Sequence, residues 1–78
     1  MITILRASGL RVVIYQFDHP PPHVHVQGDG EVKIELVSGG TPRVIEVRGM
    51  KAGDIRKALD AVADNHDMLL GIWSDLHG

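Results

Sequence analysis

Asp18, His19, His23 and His25 fall within the short run Asp18-His19-Pro20-Pro21-Pro22-His23-Val24-His25-Val26-Gln27. An imidazole gives or takes a proton near neutral pH, because its ordinary pKa is ~6.5. One chemistry open to these residues is therefore acid–base catalysis on a phosphodiester. His19, His23 and His25 would carry protons, Lys33 or Arg48 would stabilise the charged phosphorane, and Asp18, Glu35 and Arg48 would bind or orient the substrate. That is a metal-independent, ribonuclease-like site with no cofactor. A second chemistry is metal ligation: two histidines at i and i+2 on a strand leave the same face and can share one zinc ion. Zinc needs at least a third protein ligand, and Asp18, His19 and Glu35 are the candidates, with His23, His25 and Glu35 the set favoured by cross-strand position. A third reading gives the histidines no chemistry and makes them polar surface bonded to Asp18 or Glu35.

The elements that must position these groups follow from local rules. Three prolines in a row fit neither a helix nor a central strand, because each lacks a backbone N–H and fixes φ. Pro20–Pro22 therefore predict a stiff bridge, and His19 reaches His23 and His25 only if that bridge folds back. Beyond it, residues 23–27 alternate, so the valines share one face and the histidines the other. Gly28-Asp29-Gly30 and the alternation Glu31-Val32-Lys33-Ile34-Glu35-Leu36-Val37 complete a hairpin. A three-residue loop sets Gln27 against Glu31, His25 against Lys33 and His23 against Glu35, with Val26–Val32 and Val24–Ile34 on the buried face.

Before the bridge, residues 2–6 and 10–17 read as a hairpin turned at Ala7-Ser8-Gly9. After Ser38-Gly39-Gly40-Thr41-Pro42, residues 43–48 read as a further strand, with Glu46 against Lys33 and Arg48 against Glu31. From Lys51 onward there is no proline, and Ile55, Leu59, Val62, Leu69, Trp73 and Leu76 recur at helical spacing. Asn65-His66 interrupts this half, predicting helices over 52–64 and 66–76 or one kinked helix. Gly71 in the second segment implies either close packing or fraying. The expected fold class is α+β: an antiparallel sheet of four to five strands, its apolar face covered by the C-terminal helices and its histidine face open.

Length and composition narrow the function classes. The 78 residues predict one domain, 1–78, with a sheet region at 1–49 and a helical region at 50–78. A domain this small buries only ~60% of the surface its unfolded chain exposes, so a protein partner or a homodimer would help. There is no cysteine, which leaves only imidazole and carboxylate for a metal site and suits a reducing, cytoplasmic setting. No apolar run approaches the ~20 residues of a membrane span, and no membrane partner is expected. A formal net charge of -2 and a single Trp, Tyr and Phe argue against a nucleic-acid-coating protein and an aromatic base-stacking platform and weaken a nucleic-acid target, leaving room for a local basic patch.

Two resemblances bear on function. His23-Val24-His25-Val26-Gln27 resembles the strand motif of histidine-triad hydrolases and nucleotidyltransferases over five residues, with no companion nucleotide-binding segment. The block Asp18-His19-Pro20-Pro21-Pro22-His23-Val24-His25-Val26 more closely resembles the signature of a family of small prokaryotic domains of unknown function. That likeness extends through the opening strands, the hairpin, Arg48-Gly49 leading into a helix, and the closing helix with Asn65 and Trp73. It implies a stand-alone cytoplasmic protein encoded beside another small domain in a toxin–antitoxin-like pair. The expectation is a toxin-like component of a type II module, bound by a small antitoxin-like protein and acting on RNA through its histidines. The alternative is a non-catalytic metal-binding or adaptor domain built on the His-x-His strand.

Overall fold

A computed structural model describes residues 2–77; Met1 and Gly78, the two ends of the expected domain, lie outside the described residues. The chain forms β1 (Ile2–Ala7), β2 (Leu10–Ile14), β3 (His23–Gly28), β4 (Gly30–Glu35) and β5 (Arg43–Arg48), followed by α1 (Ala52–Asp64) and α2 (His66–His77). The five strands make one antiparallel sheet in sequence order. This is the expected α+β arrangement, with five strands and two helices.

Turn chemistry and alternation build the sheet. Ser8 and Gly9 both take positive φ, 53° and 75°, the backbone twist that lets a two-residue turn join two right-twisted strands. In the β3–β4 hairpin the pairs are Gln27–Glu31, Val26–Val32, His25–Lys33, Val24–Ile34 and His23–Glu35, the register expected from the alternation. β5 pairs Glu46 with Lys33 and Arg48 with Glu31, also as expected. Gly30 is the hairpin residue at which a side chain would strike backbone. Its φ is +111°, and a Cβ there would lie 2.5 Å from the carbonyl oxygen of Gly49.

The core lies between the sheet and the helices. Val12, Ile14, Val24, Val26, Val32 and Ile34 from the strands meet Ala58, Val62, Leu69 and Trp73 from the helices. Asn65 separates α1 from α2, its side-chain N–H donating to the Ala61 carbonyl. Gly71 is exposed and nothing stands within 4 Å of a Cβ built there, so it makes no room for a neighbour, and α2 continues through it to His77.

Two expectations are corrected here. β2 ends at Ile14 and does not run on to Phe17: Tyr15 to Asp18 form a turn closed by the Asp18 N–H on the Tyr15 carbonyl. The prolines that follow supply no N–H with which a strand could continue. The histidine face is also not open. His23 and His25 are 5% and 7% exposed, because the segment from Tyr15 to Pro22 and the ring of Trp73 close over them.

Candidate functional site

Period-two alternation puts His23, His25 and Gln27 on the sheet face opposite the core. Val13, the cross-strand partner of His25, is fully buried and stands apart from the main core cluster. The second face thus has a small covered region of its own. Tyr15 stands edge-on to His25 with centroids 4.6 Å apart, and His25 stands edge-on to His23 at 5.2 Å. The Trp73 ring lies 5.2 Å from His23 and is stacked on His77 at 3.6 Å. An aromatic row therefore runs from the proline loop across the sheet to the end of α2.

The polar contacts converge on Asp18. His25 Nε2 lies 2.9 Å from Asp18 Oδ2, and His25 Nδ1 lies 3.1 Å from Glu31 Oε2. His23 Nδ1 lies 2.8 Å from the Pro21 carbonyl oxygen. A carbonyl only accepts, so that nitrogen carries a proton and donates it. His23 Nε2 lies 3.1 Å from the same Asp18 Oδ2, yet their directions do not make a hydrogen bond and this buried nitrogen has no partner among the described residues. Ligand atoms of Asp18, His23 and His25 all lie within 4.8 Å of one another.

Further side chains on the same face hold this cluster. Gln27 Nε2 donates to Tyr15 OH (3.0 Å) and to Glu31 Oε1 (2.9 Å), while Arg11 donates to Gln27 Oε1 (2.9 Å). The arginine, which can only donate, fixes the orientation of the amide. The carboxyl of Glu31 is pulled below its ordinary pKa. Partial burial is the largest single influence and raises it, but the hydrogen bonds from Gln27 and His25, with the charges of His25 and Arg48, together outweigh that effect.

The remaining expected site residues fall elsewhere. His19 is exposed and takes no part in the cluster: the bridge does return the chain to the histidines, but it is Asp18 that it delivers. Lys33 Nζ sits 3.9 Å from Glu46 Oε1. Glu35, the expected third ligand, is instead bound by Arg43 at 2.6 Å, and Arg48 donates to Glu46. The sequence reading placed Glu31 opposite Gln27 and gave Glu31, Tyr15 and Gln27 no role in the site. The signal that could have found Gln27 and Glu31 was the hairpin register, which places them opposite one another on the histidine face.

The fold and the cluster together define a small α+β domain whose Pro-rich loop is tied to a buried histidine pair. The chain belongs to the family described as "Domain of unknown function (DUF4160)", whose model matches residues 9–74. No curated protein and no solved structure was found to match it. No described helix is long and apolar enough to cross a membrane.

Proposed function

We propose that this chain is a non-catalytic adaptor, the toxin-like member of a two-gene module, which binds a small antitoxin-like protein through the Tyr15–Pro22 loop. The observation that carries this reading is Phe17. It is the chain's one phenylalanine and is 87% exposed, on the turn between Tyr15 and Asp18, which are held by Gln27 and His25. A loop already held in place loses little freedom on binding, and burying a phenylalanine ring contributes ~1.5–3 kcal/mol. Exposed Pro20 and Pro21 extend the apolar rim, so the matching partner surface is an apolar pocket. The histidines serve this reading by anchoring the loop. Co-expression with the neighbouring small protein tests it: Phe17→Ser should abolish co-purification while the circular dichroism spectrum stays unchanged. A complex that survives Phe17→Ser, or no complex with the unaltered chain, overturns it.

The catalytic reading, acid–base cleavage of RNA, draws support from His23 Nε2, the one ring nitrogen of the buried pair without a hydrogen bond. It needs the loop to lift, since both rings are covered. Cleavage of RNA in the presence of EDTA, lost on His23→Ala and on His25→Ala, would establish it; an inert wild-type protein would remove it.

A further inference from the structure

We propose that Asp18, His23 and His25 form a binding site for one divalent transition cation of the zinc class, held by Asp18 Oδ2 and the two Nε2 atoms. These atoms are already gathered, at 2.9 and 3.1 Å for the two nitrogen–oxygen pairs and with all three within 4.8 Å. Ligands on a tetrahedral zinc ion at ~2.0–2.1 Å stand about 3.3 Å apart. Asp18 Oδ2 would withdraw from both nitrogens by a few tenths of an ångström, and the two histidine nitrogens, gathered within 4.8 Å, would close on the ion. Asp18 sits on a loop with its side chain 25% exposed, so it has room to move, while the two histidines leave one face of the strand and need only ring rotation to converge.

Ring orientation strengthens the case. His23 donates its Nδ1 proton to the Pro21 carbonyl, and His25 places Nδ1 against Glu31 Oε2. An oxygen at each Nδ1 leaves both Nε2 atoms beside Asp18 Oδ2, the pattern by which a hydrogen bond on one ring nitrogen sets the tautomer of a metal-ligating histidine. His23 Nε2 is a buried polar atom without a hydrogen bond, 3.1 Å from the same carboxylate oxygen. Asp18 and Glu31 stand on either side of His25, and a divalent cation would balance the two carboxylates. Imidazole with carboxylate suits zinc, cobalt, nickel or iron(II), whereas calcium and magnesium favour all-oxygen sites. Three protein ligands leave a further position for water or for a group from a partner.

The inference rests on the cluster alone and is independent of how the loop docks. Its test uses the full chain, stripped with EDTA and titrated with Zn²⁺ and Co²⁺ in the absence of any partner. Calorimetry should give one ion per chain, Co²⁺ should develop a visible absorption band, and Trp73 emission should change with the same midpoint, its ring being 5.2 Å from His23. Asp18→Asn and His25→Gln should weaken binding at least tenfold, and Glu31→Gln, which alters the partner of His25 Nδ1, about 10–100-fold. His19→Ala should bind as the wild type. Absence of saturable one-to-one binding overturns the proposal, as does binding that survives Asp18→Asn and His25→Gln unchanged. Circular dichroism accompanies each variant; if His25→Gln does not fold, Asp18→Asn and Glu31→Gln decide.

Discussion

Replacing Asp18 by alanine isolates what holds the proline loop on the sheet. The side chain contributes one hydrogen bond to His25 at 2.9 Å and the close approach to His23 at 3.1 Å. A hydrogen bond to a charged group contributes ~1.5–3 kcal/mol, and leaving the buried His25 Nε2 without its acceptor costs in the same range. Asp18 is partly solvated, so water replaces some of this, and a loss of ~2 kcal/mol is expected. For a domain of this size that corresponds to a fall in Tm of roughly 8–16 °C. Urea unfolding followed by Trp73 emission, with EDTA present to remove metal linkage, gives the value directly. Asp18→Asn, which keeps an acceptor oxygen, should lose less. A change below ~0.5 kcal/mol for Asp18→Ala, the ordinary scale of a surface substitution, would refute the claim that Asp18 anchors the loop.

Two further outcomes follow from the geometry. Gly71→Ala should stabilise the chain by ~0.5–1 kcal/mol, since the site is open, helical and free of positive φ; a destabilised variant in urea melts would mean that Gly71 serves a contact outside this chain. Glu31 has a carboxyl held below its ordinary value of 4.5, so its ionised form favours the folded state. That contribution is fully present above the unfolded value and is lost as pH falls through the lower folded value. The stability difference between wild type and Glu31→Gln should therefore shrink on acidification below about pH 5, and a difference independent of pH would contradict the assignment.

The sheet was legible in the chain because its determinants are local. Alternation at 23–27 and 31–37 and the Gly28-Asp29-Gly30 turn specify the central hairpin register, since a slip of one residue would expose Val24, Val26, Val32 and Ile34 together. Helical spacing from Ile55 to Leu76 and the interruption at Asn65 similarly mark α1 and α2. Phe17 misled because a β-prone run looks the same whether or not its end is paired; the turn at Tyr15–Asp18 shortens it.

The candidate site was only half legible, and the division has a physical cause. That His23 and His25 share a face follows from the two-residue period of a strand, which the sequence determines by itself. The third member of their cluster depends on where a loop of eight residues lands after leaving the sheet, and no local periodicity specifies that. Tertiary structure brings back Asp18 and leaves His19 in solvent, directs His25 to Glu31 and leaves Glu35 to Arg43. It also covers both rings with Tyr15 and Trp73, residues about 60 positions apart in the chain. The histidine pair was written in the strand, and its carboxylates, burial and aromatic neighbours came from chain segments that meet only when the fold closes.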